Sequence, residues 1–382
     1  MSVRSLYDDE HEAFRQAFRT FVRRQVEPSI AGWEEARRID RGVWHRAGDA
    51  GFIGLTAPAD CGGAGVGDFR FRNVVIEELA RVGANSLSSS FSLQDDIVIP
   101  YYVSLADTAQ RERWLAPMCL GRSIGAIAMT EPGTGSDLRG IRTAARRSGD
   151  GWRLTGSKTF ITSGIQSDVV IVVARDEDAG GFSLLVVERG MKGFDRGRQL
   201  DKIGLHGQDT AELIFDDVAV PPENLLGEPG RALHYLMAGL PLERLSIAAT
   251  AIASADAAFE WTKQYVLDRH AFGQRIADFQ NTQFVLAEVA TELDVTRAYI
   301  DQSITSVNKG TLSAVDAAKA KWWATDVQVR SIDRLLQLYG GYGYMLEYPI
   351  AHAYQDSRVQ KIYGGTNEIM KVIIGRDLTG VR

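Results

Sequence analysis

The spacing of apolar residues changes twice along this chain, and that change restricts its architecture more than any other feature. The spacing is helical over residues 8–27 and 68–120, gives way to short β-branched runs over 124–222, and is helical again from about Ala232. The 382 residues are enough for two or three domains. We therefore predict an α+β multidomain protein with an N-terminal α-helical domain (1–123), a middle antiparallel β domain (124–235) and a C-terminal four-helix bundle (236–382).

The C-terminal part has the most regular pattern, in steps of three and four residues that are typical of long bundle helices. One stripe comprises Leu245, Ala248, Ile252, Ala255, Phe259, Thr262 and Val266. Another comprises Val315, Ala318, Trp322, Thr325, Val329, Ile332, Leu336 and Tyr339. The middle part has short apolar runs at 168–174, 182–187 and 211–215, with turn residues and no helical pattern between them, which predicts an antiparallel sheet or barrel.

Composition and charge argue against several classes of function. The net charge of −6 disfavours nucleic acid as the main partner, because phosphate binding needs a basic surface. Two cysteines and six scattered histidines give neither a disulfide framework nor a metal-binding pattern. No uninterrupted apolar run approaches the roughly 18 residues of a membrane span, and the acidic N-terminal segment lacks the features of a leader, so we predict a cytoplasmic protein without a membrane span.

Several glycine-containing segments have the composition of ligand-binding loops. Residues 63–67 are glycine-rich, but they form no GxGxxG motif and follow no predicted strand, which disfavours a Rossmann dinucleotide site. The segment 129–137 combines glycines with hydroxyl side chains that could donate to an anion. Taken singly, this segment and those at 269–273, 340–344 and 364–368 are equally compatible with an ordinary turn, helix end or helix cap.

The joint order of these segments resembles the acyl-CoA dehydrogenase family of flavoproteins over essentially the whole chain. The segments that carry the resemblance are 128–137, 156–162, 216–227, 269–273, 337–341 and 356–369. Agreement of six separate motifs in order is far more specific than any one of them alone. The resemblance implies an FAD cofactor bound between the β domain and the C-terminal bundle.

By this resemblance, one set of residues contacts the FAD of its own subunit. Thr130 would bind the pyrimidine side of the flavin, Thr162 would lie near N5 and Phe160 against the ring. Met129 and Ile161 belong to the same cofactor-binding segments. Thr366 and Glu368 would line the same FAD, and Ser136 would contact either the pantetheine of the substrate or a cofactor phosphate.

A second set implies a site built across subunits. Arg269, Phe272 and Gln280 would bind the pyrophosphate end of a neighbouring subunit's FAD. Gln337 and Gly341 would contact its adenosine part, in the segment that also contains Gly340. A shared site requires a homo-oligomer, and the family is commonly tetrameric.

The family chemistry needs a carboxylate that takes the α-proton of an acyl thioester while hydride passes from the β-carbon to flavin N5. The commonest base lies in a Tyr-Glu-Gly-Thr motif, which here reads Tyr363-Gly364-Gly365-Thr366, so that base is absent. A second branch has its Glu at the start of the first bundle helix, and Leu240-Pro241-Leu242-Glu243-Arg244-Leu245 resembles it. Glu243 is the predicted base, although its position also suits a first-turn residue that complements the helix dipole.

The predicted substrate-binding residues are Ser136, Arg244, Gly364 and Gly365, and the backbone N–H of Gly364 would donate to the thioester carbonyl. The predicted activity is conversion of an acyl-CoA to a trans-2-enoyl-CoA in fatty acid β-oxidation, with an electron-transfer flavoprotein as electron acceptor. The motifs are closest to the long-chain branch, but isovaleryl-type enzymes also place the base early, so acyl length stays open. The alternatives are an acyl-carrier-protein dehydrogenase, a flavin monooxygenase and a non-catalytic relative of the same fold.

Overall fold

The computed structural model describes residues 4–381, which form a helical, a β and a second helical part in that order. The helices of the N-terminal part are α1 (Asp9–Phe21), α2 (Ile30–Ala36), α3 (Arg41–Asp49), α4 (Phe69–Arg81), α5 (Asn85–Ser92), α6 (Ile99–Leu105), α7 (Thr108–Gln110) and α8 (Ala116–Cys119). A π-helical segment, Leu93–Val98, joins α5 to α6 and shifts the side-chain register between them. Phe18, Trp44 and Phe91 are fully or almost fully buried in the core of this part.

The middle part is an eight-stranded sheet with strand order β6-β7-β3-β2-β4-β5-β8, and β1 pairs with β4 beside it. Its strands are β1 (Gly125–Ala128), β2 (Ala144–Ser148), β3 (Gly151–Thr162), β4 (Val169–Asp176), β5 (Phe182–Glu188), β6 (Phe194–Gln199), β7 (Thr210–Val220) and β8 (Leu225–Leu226). The predicted sheet is confirmed, but it is not wholly antiparallel, because β4 runs parallel to both β1 and β2. The sequence pattern missed β2 and β6, which are polar strands with one buried residue each and no apolar alternation.

The C-terminal part is a helical bundle. Its elements are α9 (Ala232–Asp268), β9 (His270–Ala271), β10 (Gln274–Arg275), α10 (Gln280–Asn308), α11 (Ala314–Gln337), α12 (Pro349–Ser357) and α13 (Asn367–Thr379). Every member of the predicted stripe on α9 is buried, so that stripe is confirmed.

The predicted stripe on α11 is only partly right. Val315, Trp322, Val329 and Leu336 are half-buried, whereas Ala317, Lys321, Ala324 and Gln328 are buried. The buried face is therefore rotated by about one residue from the predicted one. Small alanines occupy it because α9 and α11 pack closely, and the large tryptophans lie at its edge.

Within residues 4–381, α9 is the one helix that is long and apolar enough to cross a membrane by length and composition alone. Its most apolar stretch is 67% buried inside the protein. Packing in the bundle thus accounts for the apolar residues of α9. The same helix contains Pro241, which lacks the N–H that would bond to the carbonyl one turn earlier.

Candidate active site

Glu243 lies in the fourth turn of α9, because the helix begins at Ala232 and not near Pro241. The alternative reading of Glu243 as a first-turn residue that complements the helix dipole is therefore wrong. Only 8% of its surface is exposed. Burial raises the pKa of the Glu243 carboxyl to about 7, and the positive charges of Arg244 and Lys321 act in the opposite direction. A carboxyl with this pKa exchanges protons readily at neutral pH.

Gly364 lies directly against the Glu243 carboxylate. A Cβ atom built on Gly364 would be 3.5 Å from Oε1 of Glu243 and 2.3 Å from Cδ1 of Ile247. The backbone of Gly364 has φ +63°, a conformation that favours glycine. The two sequence positions that were candidates for the base therefore converge on one space, which the carboxylate of Glu243 and the side chain of Ile247 border.

The other two predicted substrate-binding residues of this region are close by. The Nε of Arg244 lies 3.5 Å from the carbonyl oxygen of Gly364, at the limit of a hydrogen bond. A Cβ atom on Gly365 would be 3.9 Å from Nη2 of Arg244. The structure therefore brings Glu243, Arg244, Gly364 and Gly365 together.

Lys321, which the sequence analysis did not single out, holds the loop that contains these glycines. Its Nζ donates to the carbonyl oxygen of Gly365 over 2.8 Å and to Oδ1 of Asn367 over 3.1 Å. Thr366 caps α13 by accepting a hydrogen bond from the backbone N–H of Ile369. The available signal was a lysine one turn from both Ala317 and Ala324 on a bundle helix, and the one-residue error in the α11 stripe concealed it.

Glu243 also borders a cavity of about 260 Å³ between α6 and the first turns of α9. The remaining residues that line it are Asp96, Ile97, Pro100, Tyr101, Ser104, Leu105, Tyr235, Ala238, Gly239 and Leu242. Gly239 leaves room for Tyr101, since a Cβ atom there would be 3.0 Å from the Tyr101 hydroxyl. Burial raises the pKa of Tyr101, so its hydroxyl stays protonated at neutral pH. The lining of this cavity is mainly apolar, as the binding of an acyl chain requires.

A strand bulge in the β domain holds an exposed aromatic ring. The β3–β7 register shifts between Lys158 and Ile161, and Phe160 within this bulge has φ +59° and 67% of its surface exposed. The buried Lys158 donates to the carbonyl oxygen of Met129 and to Glu131, each over 2.9 Å. The N–H of Thr159 donates to the carbonyl oxygen of Thr130 over 2.9 Å. These bonds bring the 129–130 segment beside the bulge that contains Phe160, Ile161 and, at its end, Thr162.

A second group of predicted cofactor residues lies at the far end of α9. Arg269 follows the last residue of α9, and its guanidinium carbon lies 5.4 Å from the ring centre of Tyr342, beside Gly340 and Gly341. Phe272 has φ +54° and 96% of its surface exposed. At a rise of 1.5 Å per residue, Arg269 is about 39 Å along α9 from Glu243, so the structure does not bring these two residues together.

Four further predicted residues are largely exposed. Gln280 begins α10 and Gln337 ends α11, close in sequence to Arg269 and Gly340 respectively. Ser136 lies on an exposed loop that follows the Glu131–Thr134 bridge, and Glu368 lies in the first turn of α13. None of these four side chains is enclosed by the described residues around it.

A buried carboxylate of raised pKa beside an apolar cavity suits a flavin-dependent dehydrogenase of acyl thioesters. The chain belongs to the acyl-CoA dehydrogenase family. The model of the acyl-CoA dehydrogenase N-terminal domain matches residues 8–122, that of the middle domain 126–218 and that of the C-terminal domain 230–379.

Individual relatives match over nearly the full length. The long-chain specific acyl-CoA dehydrogenase of Sus scrofa mitochondria is 46% identical over 99% of this chain and 88% of that protein. An acyl-CoA dehydrogenase structure from Geobacillus kaustophilus has a TM-score of 0.95 and 45% identity, covering 99% of this chain and 100% of that one. A glutaryl-CoA dehydrogenase from Mycobacterium smegmatis in complex with FADH2 has a TM-score of 0.91 and 26% identity, covering 98% and 96%.

FAD is the cofactor of this family and of this enzyme. The residues present fit such a group. Phe160 presents an apolar ring to solvent from a backbone conformation that non-glycine residues rarely adopt, an arrangement that costs free energy unless a partner covers it. A flat ring system with hydrogen-bonding edges suits this surface, because Thr130 and Thr162 lie half-buried beside it.

Proposed function

We propose that this protein converts an acyl-CoA, of the long-chain class, to the corresponding trans-2-enoyl-CoA and that Glu243 is the general base. The contact between the Glu243 carboxylate and Gly364 carries this proposal, because it places a buried carboxyl of pKa about 7 beside the glycine whose N–H is the proposed donor. The 46% identity to long-chain specific relatives supports the substrate class.

Each group of the chain has one task in the reaction. The carboxylate of Glu243 takes the proton from the α-carbon of the acyl group. The N–H of Gly364 donates to the thioester carbonyl oxygen, which gains negative charge as that proton leaves. The walls of the cavity between α6 and α9 exclude water from the acyl chain. When bound, FAD supplies the acceptor for the two electrons and the β-hydrogen that the acyl chain loses.

The cofactor contacts are divided between two subunits in this proposal. Met129, Thr130, Phe160, Ile161, Thr162, Thr366 and Glu368 bind the FAD of their own subunit, and Ser136 contacts the substrate or a cofactor phosphate. Arg269, Phe272, Gln280, Gln337, Gly340 and Gly341 bind the FAD of a neighbour. The separation of about 39 Å along α9 supports this division. The enzyme is then a homo-oligomer, in our proposal a tetramer, that passes electrons to an electron-transfer flavoprotein in the cytoplasm.

Anaerobic mixing of the holoenzyme with acyl-CoAs from butyryl to stearoyl tests the proposal. Oxidised flavin absorbs at about 450 nm, and loss of this band reports substrate oxidation. Glu243→Gln is expected to keep its FAD and to bleach roughly 10²–10⁴-fold more slowly. Glu260→Gln, an exposed-face variant on the same helix, is the control. Bleaching of Glu243→Gln at the wild-type rate would exclude Glu243 as the base, and faster bleaching by acyl-carrier-protein thioesters would exclude CoA as the carrier.

A further inference from the structure

Lys321 is a buried basic side chain to which the proposed reaction assigns no role. It lies on α11 with none of its surface exposed. Its two hydrogen-bond acceptors are neutral oxygens, those of Gly365 and the Asn367 side chain. Among the described residues no carboxylate forms an ion pair with it. Because an isolated buried ammonium is costly, a purely structural position here would favour an uncharged side chain.

The contacts of Lys321 fix the loop that faces Glu243. Asn367, which accepts from Lys321, also donates to the carbonyl oxygen of Trp322 over 3.2 Å and to the hydroxyl of Thr325 over 3.0 Å. The loop is thereby tied to α11 at Gly365 and at Asn367. The Gly365 carbonyl lies one residue beyond Gly364, so its hydrogen bond to Lys321 restricts the conformation of the loop that carries the Gly364 N–H.

Lys321 also acts on the charge of Glu243. The charged or titratable groups that face this carboxyl are Arg244 on α9, Tyr101 on α6, Lys321 on α11, Tyr363 before the loop and Asp96, which borders the same cavity. Burial lowers the pKa of Lys321 to about 7, with Arg244 and Lys361 adding to the decrease and Glu368 and Glu243 opposing it. Lys321 and Arg244 are thus the cations that counteract the effect of burial on Glu243.

We propose that Lys321 is a positioning residue for proton abstraction: its hydrogen bond to the Gly365 carbonyl oxygen holds the loop in the conformation that presents the Gly364 N–H to the substrate carbonyl, and its positive charge favours the ionised form of Glu243. This inference rests on the proposed function, because it assumes that Glu243 is the base. It assigns to α11 a role in the chemistry, although no residue of α11 touches the substrate in the proposed reaction.

The pH profile of flavin bleaching by acyl-CoA in the holoenzyme tests this role. Lys321→Met removes the charge and keeps the side-chain length. In this variant the acid limb of the profile, where the bleaching rate falls as Glu243 becomes protonated, is expected to move to higher pH by roughly one unit. At a pH on that limb the rate then falls about tenfold beyond any uniform loss. Lys321→Arg keeps the charge and should retain the wild-type limb at a lower rate. Lys319→Met, an exposed variant on the same helix, is the control and should match wild type.

A purely structural role would lower all rates uniformly and leave the limb in place. An unmoved limb in Lys321→Met, or equal movement in the Met and Arg variants, overturns the proposal. If Lys321→Met yields no folded holoenzyme, Lys321→Gln carries the same prediction.

Thermal unfolding of the holoenzyme gives a second readout that does not depend on turnover. Lys321→Met is expected to steepen the fall of Tm between pH 5 and 8 in the presence of Glu243 and to have a smaller effect in a Glu243→Gln background. Equal effects in both backgrounds would overturn the coupling. Wild-type bleaching in Glu243→Gln would instead overturn the proposed function, so the two failures are distinguishable.

Discussion

At the scale of single residues, the burial of Glu243 couples catalysis to stability. Its pKa of about 7 lies above the ordinary value of 4.5, so the folded state binds this proton more tightly than the unfolded state. Glu243 therefore reduces the free energy of unfolding as the pH rises from about 4.5 to about 7, and the loss persists above that range. The burial that makes Glu243 a better base at neutral pH therefore also lowers the stability of the folded protein.

We therefore expect Glu243→Gln to be more stable than wild type at pH 8, by about 2–3 kcal/mol. The gain should be small at pH 4.5 and disappear below about pH 3.5, because the carboxyl of wild type is then protonated in both the folded and the unfolded protein. Urea unfolding of the two holoenzymes across this pH range measures the difference. A constant difference at all pH values would contradict a raised pKa at Glu243.

Gly364 gives a second prediction at this scale. Gly364→Ala is expected to lower the free energy of unfolding by about 1–3 kcal/mol, because its Cβ would overlap Cδ1 of Ile247 and φ +63° disfavours alanine. Adding Ile247→Val removes the overlapping atom and should restore part of this loss. Gly375→Ala, at a helical position with nothing near the added atom, is the control. No recovery in the double variant would show that backbone strain alone is responsible.

At the scale of elements, a network centred on Arg72 connects α4, the π-helical segment Leu93–Val98 and α9. Arg72 is buried on α4, donates to Oδ1 of Asp96 over 2.7 Å and lies 3.6 Å from Asp95. Asp96 in turn accepts from the hydroxyl of Ser246 over 2.6 Å, one turn beyond Glu243 on α9. The π-helical segment Leu93–Val98 contains both aspartates. This network fixes one wall of the cavity between α6 and α9 against the helix that contains Glu243.

Replacement of Arg72 by leucine leaves two buried carboxylates without their cation. We expect the free energy of unfolding to fall by about 3–5 kcal/mol. The corresponding change at the half-exposed Arg81 should cost less than about 1 kcal/mol, because its partner Glu78 keeps the ion pair with Arg19. Urea unfolding followed by tryptophan fluorescence compares the two. Equal losses would mean that the removal of Arg72 costs no more than the removal of a half-exposed arginine.

The elements differ in how far the sequence predicts them. The apolar stripe on α9 is correct at every position because almost every residue of this helix from Glu243 to Phe259 is buried, so a stripe drawn along it falls in the core. The stripe on α11 is displaced by one residue because alanines form its buried face, and alanine is a weak signal of burial. For the same reason Lys321 was missed. The polar strands β2 and β6 form through backbone pairing with β3 and β7, which leaves no apolar pattern in their own sequence.

At the scale of the whole molecule, the proposed site needs all three parts of the chain. Glu243 comes from the C-terminal bundle, much of the cavity wall from the N-terminal helices and Phe160 from the β domain. Asp356 joins the same three parts, since it accepts from the side chain of Asn85 over 2.9 Å and from the N–H of Leu205 over 2.6 Å. Burial raises the pKa of Asp356 to about 6. A single-domain fragment would therefore lack a complete site.

Subunit mixing tests whether the site also extends across the oligomer. In our proposal Arg269 serves a neighbour's FAD, whereas Glu243 serves the substrate of its own subunit. Arg269→Glu should lower the FAD content of the enzyme, because a negative charge replaces the cation that binds the pyrophosphate. Arg146→Glu, on an exposed strand of the β domain, is the matched charge reversal and should leave the FAD content unchanged.

Hybrids of Arg269→Glu and Glu243→Gln subunits make the sharpest prediction. Each parent is expected to be nearly inactive, since one lacks bound FAD and the other lacks its base. In a mixed pair, the Arg269→Glu subunit keeps Glu243 and receives an intact Arg269 from its neighbour, so one of the two sites regains both groups. Co-expression with two affinity tags isolates the hybrid, and its bleaching rate per FAD should approach that of wild type at the restored sites. Hybrid activity equal to the mean of the parents would place Arg269 and Glu243 in the same site and contradict the shared one.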